Sequence, residues 1–217
     1  KKREKGILTL SNFKKIIDEI GGYLYDLALT NYGEPFLNPQ ILEMVSYAQE
    51  RRISTRLVTN ALLITDVSAA GIVNAGLDSI VISLDGIDQE VYSFYRIGGQ
   101  LSKVIEAVKL IVEEKNKQKK SLPSIYLQFI IMRHNEHQIE AVRDLAKELK
   151  VDHLIFKRIC DLNGFPSDLS VLEKFLPSNP AYRAYKVEEG AIRWNTGKPD
   201  INFCPMAWNY PAVNWDG

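Results

Sequence analysis

The apolar residues of this chain follow two alternating patterns. In some stretches they recur every three or four positions, which predicts amphipathic helices, and in others they form short runs, which predict strands. Helices are predicted at 13–20, 39–48, 65–75 and 139–149. A short helical stretch is also predicted to end near 96, and a long helix is predicted from 101, with a charged end at 113–120. Strands are predicted at 23–30, 53–59, 79–84, 124–132 and 153–159.

Strand and helix therefore alternate through five units, which indicates an α/β fold with a parallel sheet, either doubly wound or curled as a barrel. The nearly continuous apolar run at 79–84 is typical of a strand buried on both faces. Ser11 is the predicted N-cap of the first helix, and Pro39 suits the first position of the second. The periodicity stops after Cys160, so we predict two regions, 1–159 and 160–217.

Composition narrows the classes of function. Lys plus Arg and Asp plus Glu each number 27, so the formal charge is zero, which argues against binding to nucleic acid or to an anionic membrane. No apolar run resembles a signal peptide or approaches the roughly 18 residues of a membrane span. The two cysteines, Cys160 and Cys204, are too few for a disulfide scaffold and indicate a reducing compartment. The expectation is a cytoplasmic protein.

Polar and turn-forming residues follow several of the predicted strands. Gly33-Glu34-Pro35 comes after the first, Thr59-Asn60 after the second, and Ser83 and Asp85 after the third. In parallel sheets ligands gather at the carboxyl ends of the strands. This layout predicts a binding site there for a small charged ligand.

The same ordered set of residues resembles the radical S-adenosylmethionine (radical SAM) superfamily. The resemblance rests on Gly-Glu-Pro, Thr-Asn, the sequence Ser-Leu-Asp-Gly at 83–86 and the downstream Arg96. The tail, Cys204-Pro-x-x-Trp208 followed by Asn-Trp-Asp-Gly at 214–217, resembles the start of the auxiliary-cluster extension called SPASM. The resemblance covers nearly the whole chain. It implies a partial (β/α)6 TIM-like barrel whose first strand is missing, followed by the beginning of an irregular C-terminal extension.

The resemblance also assigns roles to these residues. Gly33-Glu34-Pro35 would contact the methionyl ammonium of S-adenosylmethionine, a cation that needs carbonyl and carboxylate acceptors. Ser83 and Arg96 would hold the methionyl carboxylate, for which an Arg fork is apt. Asn60 and Asp85 are weaker candidates for lining cofactor or substrate.

Thr59 and Gln128 are weaker candidates for lining cofactor or substrate. No catalytic residue is identified. Cys204 would be a ligand of an auxiliary iron–sulfur cluster in the full-length protein.

The chain departs from the family in its cysteines. Family chemistry needs a Cys-x3-Cys-x2-Cys loop to hold a [4Fe-4S] cluster, yet no cysteine precedes Cys160. The expectation is therefore a partial view of a longer enzyme, with the cluster ligands outside this chain and the chain alone inactive. The parent would cleave S-adenosylmethionine reductively to modify a peptide, a protein or a small metabolite. Its electron donor would be a protein such as a flavodoxin or ferredoxin.

Two other interpretations stay open on the sequence alone. One is a degenerate barrel without a cluster that binds a nucleotide-like ligand or a partner and performs no chemistry. The other is an ordinary (β/α) barrel enzyme in which Glu34 and Asp85 act as acid and base. That interpretation leaves the Cys-Pro-x-x-Trp tail unexplained.

Overall fold

The computed structural model describes residues 6–30, 33–159, 174–188, 191–194 and 212–214. The α-helices bounded within this part are α1 Leu10–Ile20, α2 Ile41–Gln49, α3 Asp66–Asn74, α4 Gln89–Tyr95, α5 Leu101–Lys117 and α6 Ile139–Glu148. The strands are β1 Asp26–Ala28, β2 Ser54–Thr59, β3 Ser79–Ser83, β4 Ser124–Ile131, β5 His153–Arg158, β6 Tyr185–Glu188 and β7 Ala191–Trp194. Short 3-10 turns occur at Gly21–Tyr23, Pro35–Leu37, Glu136–Gln138 and Pro180–Tyr182.

The first five strands form one parallel sheet in the order β1-β2-β3-β4-β5. Each strand therefore lies beside the strand that precedes it in the chain. In a doubly wound sheet the strand order reverses at a switch point, whereas in a (β/α) barrel it follows the chain. The predicted α/β fold is confirmed, and the strand order favours the barrel-like alternative.

One continuous core joins the sheet to the helices. Alternate residues of the strands enter it, among them Ile80 and Ile82 of β3 and Leu127 of β4, all without exposed surface. The apolar stripe of α5 packs into the same core through Val104 and Ile111. The period of two in the strands and of about 3.6 in the helices thus brings their apolar faces together.

Two aspartates organise the amino-terminal edge of the sheet. Asp78 accepts hydrogen bonds from the backbone N–H of Thr55 at 2.7 Å and from the Thr55 hydroxyl at 3.2 Å. Asp152 accepts from the backbone N–H of Ile125 at 2.7 Å and pairs with Lys115 Nζ at 2.8 Å. Each carboxylate stands before one strand and bonds the beginning of a neighbouring strand, which fixes the pairing at this edge.

Several predicted boundaries are wrong in detail. The N-cap of α1 is Thr9, whose hydroxyl accepts from the N–H of Asn12, and Ser11 lies inside the helix. The second helix begins at Ile41, two residues after Pro39. The strand predicted at 23–30 is shorter, because Gly21–Tyr23 forms a 3-10 turn and β1 begins only at Asp26.

The segment after Cys160 contains structure that the sequence interpretation missed. β6 and β7 form an antiparallel pair in which Lys186 lies opposite Arg193. The alternation of apolar and charged residues in β6 is a strand signal. Cys160 and Cys204 lie outside the described residues. No helix in the described part of the chain is long and apolar enough to cross a membrane.

Asp152 gives a test of the amino-terminal edge. Replacing it with Ala removes the acceptor of the Ile125 N–H and leaves Lys115 unpaired. We expect the free energy of unfolding to fall by about 1–2 kcal/mol at neutral pH, a modest loss because the Asp152 side chain is 38% exposed. Urea unfolding followed by circular dichroism measures this. Asp144→Ala, which breaks an exposed pair with Lys147, is the matched control and should change little.

The loss should also depend on pH. Burial acts to raise the pKa of Asp152, but the Lys115 ammonium and the Ile125 N–H outweigh it and lower that pKa below the ordinary value of 3.8. The stabilisation is therefore present above the ordinary pKa and disappears as the pH falls through the folded-state value. The gap between wild type and Asp152→Ala should shrink towards about pH 3. If wild type and Asp152→Ala differ in free energy of unfolding by the same amount at neutral pH and at about pH 3, the Asp152 carboxylate is not the source of the stabilisation.

Candidate functional site

A pocket of about 270 Å³ lies at the carboxyl ends of β1, β2 and β3. Six of the candidate residues from the sequence line it together: Gly33, Glu34, Thr59, Asn60, Ser83 and Arg96. Sites for whole small-molecule ligands usually measure about 300–1,000 Å³. A pocket of this size suits one end of a ligand rather than all of it.

The loop after β1 places Glu34 at the pocket. Gly33 has φ of +93°, a left-handed conformation that favours glycine, although a Cβ there would meet no atom within 4 Å. Glu34 follows as the N-cap of the turn Pro35–Leu37, and its side chain accepts from the N–H of Phe36 at 3.2 Å. The Gly-Glu-Pro sequence therefore forms a turn in which the Glu34 carboxylate meets the end of β2.

The hydrogen bonds of Glu34 leave part of its carboxylate available. Oε1 accepts from the Thr59 hydroxyl at 2.7 Å and from the Phe36 N–H, while Oε2 accepts from the Asn60 N–H at 2.9 Å. A carboxylate offers about four acceptor sites. One site on Oε2 remains in the described contacts, so Glu34 can still accept a hydrogen bond from a bound cation.

The opposite charge in the pocket belongs to Arg96, the residue that follows α4. Its Nε and Nη2 each lie 2.6 Å from Oδ2 of Asp85, which has no exposed surface. Oδ1 of Asp85 accepts from the backbone N–H of Ile130 at 2.8 Å. Burial raises the pKa of the Asp85 carboxyl, and the Arg96 guanidinium and the Ile130 N–H act against that rise.

Asn135 supports this pair from the loop after β4. Its buried side chain donates to the carbonyls of Asp85 at 3.0 Å and Ile130 at 2.9 Å. Its Oδ1 accepts from the N–H of Met132 at 2.7 Å. The ends of β3 and β4 are therefore joined through one amide side chain as well as through the Asp85 carboxylate.

The remaining predicted residues take other places. Pro35 is buried in its turn and does not line the pocket. Asp85 does not line it either, and its carboxylate faces Arg96 and β4. Gln128 is buried beside Ser83 in the register of β3 and β4, with its Oε1 unpartnered, and it also lies outside the pocket lining. The roles predicted for these residues stay predictions.

The pocket also contains residues that the sequence interpretation did not select. These residues are Thr30 and Val58. The Thr30 hydroxyl accepts from the N–H of Val58 at 3.1 Å, so the two residues meet across the β1–β2 pair. A threonine directly after an apolar strand was the available signal for Thr30.

The described residues contain no group of three or more His, Cys, Asp or Glu side chains arranged to hold a metal ion. The predicted cluster ligand Cys204 lies outside them. The polar groups that line this pocket are one carboxylate, one guanidinium, the carboxamide of Asn60, hydroxyls and backbone groups.

Comparison with known protein families identifies the family of this chain. The model of the Radical SAM superfamily matches residues 1–146. The chain belongs to the Radical SAM superfamily. The pocket at the strand ends is thus a feature of a radical SAM domain.

Two curated relatives and one solved structure illustrate the similarity. Fe-coproporphyrin III synthase of Methanosarcina barkeri is 27% identical over 149 residues, which is 69% of this chain and 36% of that protein. PqqA peptide cyclase of Granulibacter bethesdensis is 28% identical over 120 residues, 54% of this chain and 30% of that protein. The chain thus spans about a third of the length of these relatives.

The solved structure is SuiB of Streptococcus suis bound to S-adenosylmethionine. It superposes with a TM-score of 0.62 at 17% identity, covering 82% of this chain and 39% of SuiB. At this identity the likeness concerns the fold, and it agrees with a partial TIM-like barrel.

Gly86 gives a test of how the radical SAM domain places Arg96. A Cβ at Gly86 would lie 2.4 Å from the backbone N and 2.7 Å from the Cα of Tyr92, so only glycine lets β3 turn against α4. We expect Gly86→Ala to displace α4 and to lower the free energy of unfolding by about 1–3 kcal/mol. Thermal unfolding by circular dichroism measures the loss.

Gly22→Ala is the matched control, because a Cβ at Gly22 meets nothing within 4 Å. If Gly86→Ala and Gly22→Ala unfold at the same temperature, the close approach of α4 to Gly86 is not a constraint on the fold.

Proposed function

We propose that this chain forms the S-adenosylmethionine-binding part of a radical SAM enzyme. The pocket would hold the amino-acid end of the cofactor, with the ammonium at Glu34 and the carboxylate at Arg96 and Ser83. Membership of the superfamily supports the class of cofactor. The residues in the pocket support which end of the cofactor lies there.

The observation that carries the proposal is the pairing of opposite charges in one small pocket. The free acceptor site of Glu34 Oε2 suits an ammonium group, and the unengaged N–H groups of Arg96 suit a carboxylate. An α-amino acid carries both groups on one carbon. The pocket volume of about 270 Å³ fits that end of the cofactor and leaves the nucleoside to extend beyond it.

The residues present do not fit the iron–sulfur cluster of the family. Three thiolates are needed, and the chain contains two cysteines, Cys160 and Cys204, which are 44 positions apart. We therefore assign only the binding of S-adenosylmethionine to these 217 residues. Cluster ligation would come from residues of the natural protein outside this sequence. Cys204 is proposed as an auxiliary-cluster ligand in a SPASM-type region over 160–217.

The substrate proposed is a peptide. The support is that one relative with 28% identity is named a peptide cyclase. Another relative is named for Fe-coproporphyrin III, so a metabolite is the second candidate. An electron donor such as a flavodoxin or ferredoxin would supply the reduction.

The shortage of cysteines favours one rival function, a binding module that holds the same ligand without chemistry. The enzyme and the binding module differ in whether they cleave S-adenosylmethionine. The full-length natural protein, reconstituted anaerobically with iron and sulfide, should release 5′-deoxyadenosine from S-adenosylmethionine when a strong reductant is added. Liquid chromatography of the quenched mixture measures this. Binding of S-adenosylmethionine without any release, in repeated reconstitutions, would favour the binding module and end the enzyme proposal.

Arg96→Lys tests the assignment of the pocket. Lysine keeps the charge and can still pair with Asp85, but it loses the planar fork that holds a carboxylate. We expect the affinity for S-adenosylmethionine to fall about tenfold, a difference of about 1.4 kcal/mol. The affinity for 5′-methylthioadenosine, which lacks the amino-acid end, should not change. Calorimetric titration of the full-length protein measures both ligands.

The matched control is Arg143→Lys, an exposed arginine of α6 that stacks over Phe156 away from the pocket. Equal losses of affinity for both ligands in Arg96→Lys would contradict the assignment of the carboxylate to Arg96.

A further inference from the structure

The contacts of Asp85 suggest a role that differs from lining a ligand site. Its carboxylate has no exposed surface, so no ligand reaches it in this conformation. Both oxygens are engaged, Oδ2 by Nε and Nη2 of Arg96 and Oδ1 by the N–H of Ile130. Asp85 therefore makes no direct contact with a ligand in the pocket, and Arg96 is the pocket residue that its carboxylate contacts.

Arg96 needs such an anchor because of its position. It is the first residue after α4, with φ of −91° and ψ of 64°, and its side chain is 26% exposed at the pocket. A free arginine side chain loses about 2 kcal/mol of rotamer entropy when it is held in one orientation. Asp85 holds it before a ligand arrives.

The side of the guanidinium that Asp85 contacts determines which N–H groups of Arg96 remain for a ligand. Nε donates to Oδ2 of Asp85 and Nη2 lies 2.6 Å from the same oxygen, which leaves Nη1 and the outer N–H of Nη2 without a partner in the described contacts. One N–H of Nη1 and the outer N–H of Nη2 form the end of the fork, the edge that meets a carboxylate with two parallel hydrogen bonds. The anchored side and the free end belong to one rigid plane.

We propose that Asp85 is a positioning residue, which orients Arg96 so that the free end of its guanidinium receives the carboxylate of an amino-acid ligand. The inference rests on the proposed binding of S-adenosylmethionine in this pocket. Asn135 completes the support, because it ties the backbone of Asp85 to β4.

The direction in which the affinity for a carboxylate changes when Asp85 is removed distinguishes a positioning role from a purely electrostatic one. The negative charge of Asp85 offsets that of Arg96, so by charge alone its removal would strengthen carboxylate binding. If Asp85 acts by orienting Arg96, its removal weakens that binding. The two effects predict opposite changes in affinity.

The test uses the full-length protein, with S-adenosylmethionine and 5′-methylthioadenosine as probes in calorimetric titrations. Asp85→Asn should lower the affinity for S-adenosylmethionine about tenfold and leave that for 5′-methylthioadenosine unchanged. In the Arg96→Lys background, Asp85→Asn should cause no further change in the ratio of the two affinities, because its effect passes through Arg96. A merely structural role would weaken both ligands together.

Asp88→Asn is the matched control. Asp88 caps α4 by accepting from the N–H of Val91 at 2.9 Å, and asparagine caps helices equally well. It lies three positions from Asp85 and should leave the ratio unchanged. Should Asp85→Asn fail to fold, Asp85→Glu, which keeps the charge but displaces the carboxylate by one methylene group, should show the same selective loss.

The positioning role would be overturned if Asp85→Asn left unchanged or increased the ratio of the affinity for S-adenosylmethionine to that for 5′-methylthioadenosine. It would also be overturned if Asp85→Asn lowered this ratio equally in the Arg96→Lys background. The proposed function fails differently. If the wild type binds both probes equally, the pocket does not take the amino-acid end, and the inference falls with it. If the wild type prefers S-adenosylmethionine and Asp85→Asn retains that preference, only the inference is wrong.

Discussion

The buried carboxylate of Asp85 is the constraint on which the candidate site depends. A charge without exposed surface is costly unless it is paired and hydrogen-bonded, and here Arg96 and the Ile130 N–H meet that need. Meeting it brings the residue after α4 to the ends of β3 and β4. The same contact therefore closes one side of the pocket and supplies its positive charge.

The two edges of the sheet use carboxylates differently. At the amino-terminal edge, Asp78 and Asp152 accept hydrogen bonds from strand N–H groups and stabilise the pairing. At the carboxyl edge, Glu34 keeps one acceptor site free, and Arg96 keeps part of its guanidinium free. Hydrogen-bonding groups thus remain available in the described contacts at the edge where a parallel sheet usually binds ligands.

Much of the fold could be predicted because periodicity reports local packing. The five parallel strands and their helices follow from apolar spacing, as α5 and β3 illustrate. Boundaries were harder, since the choice of Thr9 over Ser11 as a cap depends on which hydroxyl can reach a free N–H. The β6–β7 pair was missed because strands of four residues carry a weak signal beside the longer units.

For the site, the sequence alone identified candidate residues at the strand ends and after the fourth helix, and six of these candidates line one pocket. It also determined the cysteine count, which sets what this chain can ligate. Only the tertiary structure decided the division of roles: Asp85 pairs with Arg96, eleven positions away, and Glu34 bonds Thr59 and Asn60. The physical reason is that side-chain direction and burial arise from contacts between elements, and a strand-end motif cannot distinguish a carboxylate facing the pocket from one buried behind it.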